Sequence, residues 1–140
     1  MKILYDWEDF DKDVKKILYF MKDYDTTDCN IVAISKGGLP LGVTLANKLR
    51  ATFSIIEYQR YDEGGDGIAR WLKCNINDDK PTYLVDDLVD EGITFEKCAN
   101  LVQKDCGIYP YSIALLGNKN FNLTYAPNEK PDGWVTFPWE

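Results

Sequence analysis

The sequence predicts a single α/β domain over residues 1–140, built on a mostly parallel twisted sheet flanked by helices, with a short C-terminal hood. Three observations predict this class. The length suits one compact domain. Short β-branched apolar runs alternate with segments of helical periodicity, as expected for a parallel sheet. No internal repeat, low-complexity tract or linker interrupts this alternation.

The first part of the chain is expected to form a helix, a strand and a second helix. Apolar residues at spacings of three, four and seven predict a helix over about 7–23, with Asp6 as its cap. Residues 30–35 form a short apolar run that is typical of a buried parallel strand. A buried helix is expected over 39–49, where Pro40 suits the first turn.

The second part of the chain continues the same alternation. Residues 62–67 are polar and glycine-rich, which indicates a loop. The other predicted elements are a strand over 52–58, an extended stretch over 71–76, a strand beginning at 83, a helix over 92–104, a strand over 111–116 and an aromatic extended segment over 134–140.

Composition excludes several classes of function. Hydrophobic residues make up 45% and charged residues 28%, as in an ordinary globular protein. No run approaches the ~20 apolar residues of a membrane span, and the charged first residues do not resemble a signal peptide. The net charge of -7 argues against nucleic acid as a bulk partner. An acidic surface also repels a phosphorylated substrate, which makes a bound cation more necessary.

Cysteine and histidine usage limits the chemistry. The 4 cysteines are far apart and the chain has no histidine, which argues against zinc and against a disulfide framework. Scattered thiols fit a reducing cytoplasm. Without histidine, a general acid or base must be a carboxyl, lysine, tyrosine, cysteine or water, and a Ser-His-Asp mechanism is excluded.

Residues 83–94 carry the most informative pattern. An apolar strand runs into Asp86 and Asp87, and Asp90 then leads into a turn at Gly92. Carboxylates suit magnesium, and amides that open onto a helix start suit a phosphate. The alternative is a strand that simply ends in a polar turn before a capped helix.

Two further segments offer ligand-binding chemistry. At residues 35–38 a strand breaks into paired glycines, where Gly37 permits close approach and Lys36 adds positive charge. This order is not a Walker A loop, and a plain strand-to-helix turn is the alternative. In the segment 133–140, Trp134 offers a flat face on which a heterocycle could stack. The alternative is that Trp134 and Trp139 are ordinary core or dimer aromatics.

These segments together resemble the type I phosphoribosyltransferases. Residues 85–94 match that family's signature of an acid pair, two apolar residues, Asp, a hydroxyl residue, Gly and Thr, except that Glu91 replaces the hydroxyl residue. Residues 35–38 resemble its pyrophosphate loop. Residues 133–140 resemble the corresponding segment of the xanthine-guanine and hypoxanthine branch, in which Trp139 is expected to pack.

The resemblance implies an enzyme that joins a purine base to phosphoribosyl diphosphate with Mg²⁺ as cofactor. It implies that Asp87 contacts the metal and that Asp86 shares in holding the ribose hydroxyls and the metal shell. Asp90 is implied as the catalytic general base at the purine imidazole nitrogen. Lys36 and Gly37 are implied to take the pyrophosphate.

The resemblance also implies contacts for the 5'-phosphate and the base. The phosphate is expected on the backbone amides of Glu91, Gly92, Ile93 and Thr94, together with the Thr94 hydroxyl. Trp134 is expected to stack on the purine, and Val135 to contact it through its backbone.

Other family features are expected as well. A lid is expected at Gly64-Gly65, flanked by Arg60, Tyr61 and Arg70, with Arg70 among the substrate-binding residues. The family often carries a cis peptide in the pyrophosphate loop, here between Ser35 and Lys36. Relatives of this fold form homodimers or homotetramers, and the sequence does not decide between them.

Two departures from the family pattern leave questions open. Glu91 places a carboxylate where a hydroxyl meets the phosphate, so its side chain must point outward or phosphate affinity falls. The family's lysine for the purine 6-oxo group is missing, since Asn118 and then Lys119 follow the strand. The preferred base therefore stays open, and a non-catalytic phosphoribosyl diphosphate- or nucleotide-binding regulator is the alternative function. A phospho-acceptor signalling domain is disfavoured because its acid pair would follow the first strand.

Overall fold

The described part of the chain is organised around a central sheet of 6 strands. The computed structural model describes residues 2–22, 28–60 and 67–140. In chain order the elements are β1 (Lys2–Leu4), α1 (Trp7–Met21), β2 (Asn30–Ser35), α2 (Leu39–Leu49), β3 (Thr52–Gln59), β4 (Ile68–Lys73), β5 (Thr82–Val89), α3 (Ile93–Cys106), β6 (Tyr111–Gly117), β7 (Asn128–Glu129) and β8 (Trp134–Thr136).

The sheet has the order β4-β3-β2-β5-β6-β7. Every neighbouring pair is parallel except β3 and β4, which are antiparallel. The predicted α/β class with a mostly parallel sheet is therefore confirmed. Because β2 and β5 are adjacent and parallel, the bends that follow them lie at the same edge of the sheet, where ligands bind in open α/β folds.

Helices cover both faces of the sheet. Successive strand residues point to opposite faces. Because both faces are covered, the central strands are buried on both sides. Ile31, Tyr83 and Ile113 pack on the face covered by α1 and α2. Val32 and Leu84 pack on the other face, toward α3. This double burial explains why the strands appear in the sequence as continuous apolar runs.

The helix starts follow the sequence signals. Asp6 caps α1 as predicted, since its Oδ1 accepts the Asp9 N–H at 2.8 Å. Asp9 Oδ2 in turn accepts the Asp6 N–H at 3.0 Å, which completes a capping box. Pro40 lies in the first turn of α2, also as predicted.

A parallel ladder between β1 and β8 forms the hood of the molecule. It pairs the first residues of the chain with Trp134–Thr136, and the sequence analysis did not predict it. Beyond β8 the backbone turns, with the Phe137 N–H donating to Glu140 Oε1 at 2.7 Å. The predicted extended segment over 134–140 is therefore a strand only at its start.

Two other predictions differ from the structure or fall outside it. The stretch predicted over 71–76 is the strand β4 at Ile68–Lys73, because its ladder with β3 pairs Ile68 with Gln59. The lid predicted at Gly64-Gly65 lies outside the described residues. Among the residues that are described, no helix is long and apolar enough to cross a membrane.

Candidate active site

The acid pair at the end of β5 lies between two cavities. Asp86 lines one and Asp87 lines the other, as expected for neighbours on a strand. Both side chains are half-buried. The Asp87 N–H donates to Asp86 Oδ1 at 2.8 Å, and the Leu88 N–H donates to Asp87 Oδ1 at 2.7 Å. Local backbone donors therefore fix both carboxylates.

Burial of these two carboxylates changes their acidity. Loss of solvent raises the pKa of Asp86 well above its usual value, and the neighbouring Asp87 charge raises it further. Burial also raises the pKa of Asp87, an effect that the hydrogen bond from Trp139 partly offsets. Two adjacent, poorly solvated carboxylates are a site where a bound cation is favourable.

The lysine-glycine bend lies against the acid pair. A Cβ on Gly37 would stand 2.5 Å from Asp87 Oδ2, so only glycine lets the backbone approach this carboxylate. The Ser35–Lys36 peptide is cis, as expected from the resemblance. Lys36 itself is exposed at the bend. The structure thus brings the bends after β2 and β5 together.

The first cavity, which we call the bend cavity, has a volume of about 260 Å³. Gly92 has a φ of 84°, a conformation that favours glycine, and the Phe121 ring occupies the space a Cβ would need. This turn opens onto the start of α3, where backbone N–H groups of the first turn can donate to an anion. The cavity is lined by Arg60, Asp86, Leu88, Val89, Asp90, Glu91, Gly92, Ile93, Thr94 and Phe95.

The second cavity, which we call the indole cavity, has a volume of about 330 Å³. Trp134 is 69% exposed, so its ring is available to a ligand rather than sealed in the core. Asp90 and Leu88 line both cavities, which therefore meet at the acidic bend. The lining comprises Asp87, Leu88, Asp90, Lys130, Gly133, Trp134, Val135, Phe137 and Glu140.

Lys130 is a site residue that the sequence analysis missed. Its Nζ lies 3.9 Å from Asp90 Oδ1 inside the indole cavity. Asn118 and Lys119, the candidates from the sequence, line a separate hollow beside Phe121. The only sequence signal for this residue was a lysine four residues before Trp134. The preceding strand β7 has two residues, which is too short for an alternating pattern that would reveal a strand.

A buried network holds β7, and with it Lys130, in place. Asn128 Nδ2 donates to Asp13 Oδ2 at 2.8 Å and to the Leu115 carbonyl at 3.0 Å. The Tyr5 hydroxyl donates to the same Asp13 oxygen at 2.6 Å. The Lys130 N–H then donates to the Gly117 carbonyl at 2.8 Å. This network anchors the short strand that Lys130 directly follows.

The two arginines that flank the predicted lid occupy different places. Arg60 lines the bend cavity, where it brings positive charge among three acids. Arg70 lies on β4, and its Nε and Nη2 donate to Glu57 Oε1 at 3.0 and 2.8 Å. It is not among the described residues that line either cavity. Its predicted contact with substrate stays a prediction.

Trp139 packs, as expected, and also reaches the acid pair. Its ring stacks on Phe137 with centroids 4.9 Å apart. Its indole Nε1 donates to Asp87 Oδ2 at 3.3 Å. The alternative in which Trp139 is an ordinary core aromatic therefore describes its packing but not its hydrogen bond to Asp87.

The donor set fits magnesium shared with a substrate. Within the described residues no group of three or more ligating side chains is assembled. Magnesium commonly takes one or two carboxylates and completes its shell with water and phosphate oxygens. Asp87, with Asp86 beside it, supplies that number of carboxylates.

Comparison with known proteins identifies the family. The model of the phosphoribosyl transferase domain matches residues 1–106. The chain belongs to this family. The predicted resemblance to the type I phosphoribosyltransferases is thereby confirmed, and relatives from the purine branch support that branch.

Two relatives of this phosphoribosyltransferase are similar over nearly the whole chain. The xanthine-guanine phosphoribosyltransferase of Desulfotalea psychrophila is 29% identical over 138 residues, which cover 96% of this chain and 83% of the relative. The enzyme of the same name from Gluconobacter oxydans is 28% identical over 140 residues, which cover 96% and 82%.

Solved structures share the fold. The purine phosphoribosyltransferase of Pyrococcus horikoshii superposes with a TM-score of 0.88 at 22% identity, covering 99% of this chain and 93% of that one. The Helicobacter pylori xanthine-guanine-hypoxanthine phosphoribosyltransferase gives 0.81 at 19% identity, covering 99% and 92%. At these identities the likeness establishes the architecture alone.

Proposed function

We propose that this phosphoribosyltransferase transfers the phosphoribosyl group of 5-phosphoribosyl 1-diphosphate to a 6-oxopurine, namely guanine, xanthine or hypoxanthine. The bond from ribose C1 to the diphosphate oxygen breaks, and a bond from C1 to the purine nitrogen forms. The products are a nucleoside 5'-monophosphate and diphosphate. The observation that carries the proposal is the meeting of the bend cavity and the indole cavity at Asp90.

The bend cavity suits the phosphoribosyl half of the reaction. We assign the 5'-phosphate to the amides of residues 91–94 and the ribose hydroxyls to Asp86. Asp87 lines the adjoining indole cavity and lies beside Gly37, where it would hold magnesium together with the diphosphate, and we assign the diphosphate to Lys36 and Gly37 as well. Magnesium supplies neutralisation of the charge that develops on the departing diphosphate. The chain's own contribution is to hold these groups in one orientation.

The indole cavity suits the base. Trp134 offers a stacking face, and the Val135 backbone lies beside it in the ladder with β1. Asp90 lines both cavities, which supports a position between the base and the ribose, where its carboxylate would accept the purine proton as the new bond forms. Without histidine in the chain, a carboxylate is a reasonable group for this task.

Lys130 supports the choice of a 6-oxopurine. An ammonium group donates hydrogen bonds and accepts none, so it favours an oxo oxygen over the amino group of adenine. Its position in the indole cavity, near Asp90, supports a hydrogen-bond donor on the side of the site that we assign to the base. We propose that it fills the role for which the sequence offered Asn118 and Lys119 as candidates.

The test is a base-by-base assay of phosphoribosyl diphosphate with guanine, xanthine, hypoxanthine and adenine, with magnesium and with chelator. We expect equimolar nucleotide and diphosphate from at least one oxopurine, no turnover in chelator, and an adenine rate at least about tenfold lower. Ligand binding without turnover on any base would contradict the enzyme and favour the regulator. Preferred use of adenine would contradict the role of Lys130.

Two further properties belong to this proposal. Exposed aromatics near the start of the chain, including Trp7 and Tyr19, support a homodimer or homotetramer, which light scattering would measure. Four free thiols support the predicted cytoplasmic location.

A further inference from the structure

Trp139 joins two parts of the molecule that are distant in sequence. Its ring lies in an aromatic cluster built mainly from the first residues of the chain. The centroid distances are 6.1 Å to Tyr5, 5.6 Å to Trp7, 5.4 Å to Phe10 and 4.9 Å to Phe137. The backbone turn that carries Trp139 is closed by Glu140, whose N–H donates to the Phe137 carbonyl at 3.2 Å. The indole is therefore held on several sides.

The polar edge of this ring faces the acid pair. The indole Nε1 donates to Asp87 Oδ2 at 3.3 Å, while Asp87 Oδ1 accepts the Leu88 N–H at 2.7 Å. The backbone of Gly37 lies against the same carboxylate. Each Asp87 oxygen thus has a fixed donor, and a glycine backbone closes one side. A carboxylate restrained in this way has little freedom to rotate.

We propose that Trp139 is a positioning residue for Asp87: its indole N–H holds the carboxylate in the orientation that receives the magnesium-bound diphosphate substrate. This inference rests on the proposed function. A side chain that is ordered before binding loses less conformational entropy when the ligand binds. Ordering of Asp87 should therefore lower the Kd of the ligand. The β1–β8 ladder and α1 are thereby linked to the site, because these elements pack around Trp139 and so fix its indole ring beside the Asp87 carboxylate.

The first test is Trp139→Phe, which keeps an aromatic ring and removes the N–H donor. We expect the Kd for phosphoribosyl diphosphate in saturating magnesium, measured by calorimetry, to rise about three- to tenfold, the range for one hydrogen bond. The magnesium concentration for half-maximal rate should rise in parallel. The KM of the base should stay unchanged, because we assign Asp87 to the metal and the diphosphate, although Asp87 also lines the indole cavity.

The chain offers a matched control for this variant. Trp71 Nε1 also donates to a carboxylate, Asp105 Oδ2, at 2.7 Å, but the pair lies on β4 and α3 away from both cavities. Trp71→Phe removes the same kind of bond and should leave substrate binding within about twofold of the wild type. A merely structural role for the two indoles would give the two variants similar effects.

A double-mutant cycle isolates the contact itself. Asp87→Asn should by itself raise the Kd for phosphoribosyl diphosphate, and in that background Trp139→Phe should raise the Kd by a smaller factor than in the wild type. If Trp139→Phe does not fold, the indole resonances of isotope-labelled wild type and Asp87→Asn supply the same information. The indole N–H of Trp139, assigned by eliminating the other three tryptophans, should shift in Asp87→Asn.

The outcomes separate the inference from the function on which it rests. An active wild type whose Trp139→Phe binds substrate like Trp71→Phe overturns the inference and leaves the transferase intact. So does an indole resonance that is unmoved in Asp87→Asn. A wild type that neither binds phosphoribosyl diphosphate nor makes nucleotide overturns both.

Discussion

Two pairs of acids on the same bend have different surroundings. Asp86 and Asp87, the inner pair, lie half-buried on β5 and accept several hydrogen bonds. Asp90 and Glu91, the outer pair, are exposed beyond the strand. Hydrogen bonds restrain the inner pair, but burying these carboxylates costs desolvation free energy. The outer pair stays solvated and avoids that cost. Rigid acids suit a metal and ribose, and a solvated acid suits proton transfer.

The largest expected effect concerns the outer pair. Asp90→Asn should lower turnover by about 10²- to 10⁴-fold, because an amide cannot accept the purine proton. Folding should be unaffected, since the Asp90 side chain is 58% exposed. Steady-state rates and thermal unfolding measure both properties. Glu91→Gln removes the neighbouring charge and serves as control, and equal rates for Asp90→Asn and wild type would remove Asp90 from the mechanism.

Lys130 pairs with Asp90 of the outer acids. Lys130→Met should lower kcat/KM for oxopurines by about 10- to 100-fold, the range for a lost hydrogen bond to a charged donor. The rate with adenine should change far less. Lys119→Met is the matched control, since Lys119 lines a different hollow. An equal loss with adenine and oxopurines would show that Lys130 does not select the base.

The inner pair should limit stability at neutral pH. The folded-state pKa of Asp86 is raised, so the folded protein binds this proton more tightly than the unfolded chain. The resulting stabilisation is present at low pH and is lost as pH rises through the folded pKa. Asp86→Asn should therefore raise the unfolding temperature near pH 7 by about 2–5 °C.

The pH dependence checks that explanation. The difference between Asp86→Asn and wild type should shrink as pH falls through the raised folded-state pKa of Asp86 and should disappear below about pH 3, where Asp86 is protonated in both states. Catalysis should fall in the same variant, because a neutral amide holds the ribose and the metal shell less well. If Asp86→Asn were less stable than the wild type near pH 7, the buried charges of Asp86 and Asp87 would not destabilise the folded protein.

Glu91 should have the smallest effect. Because its side chain is exposed, its charge acts on the 5'-phosphate at a distance and through solvent. Glu91→Ser should lower the KM for phosphoribosyl diphosphate by about two- to fivefold at low salt, and the gain should vanish at high salt. Kinetics at two ionic strengths measure this. A higher KM at low salt would mean that the carboxylate helps to hold the substrate.

The parts of the site that the sequence predicted are local. The acidic bend and the lysine-glycine bend each lie within a dozen residues, and strand order places them side by side. The Ser35–Lys36 cis peptide followed from the family resemblance and is present. Trp134 was expected to face a ligand, and it lines a cavity with Asp87.

The parts that the sequence did not predict depend on long-range contacts. Lys130 enters the site because β7 pairs with β6 and Asn128 reaches the buried Asp13, which is 115 positions away. Trp139 reaches Asp87 because the hood pairs the two ends of the described chain. A strand of two residues and a ladder of three carry no periodicity from which such contacts could be inferred.

The most direct test of the account is a crystal structure with guanosine 5'-monophosphate bound. We expect the phosphate on the amides of residues 91–94, the ribose hydroxyls at Asp86, and the base stacked on Trp134 with Lys130 at its oxo group. A nucleotide bound elsewhere, or with its base turned away from Trp134 while the phosphate occupies the bend, would contradict it.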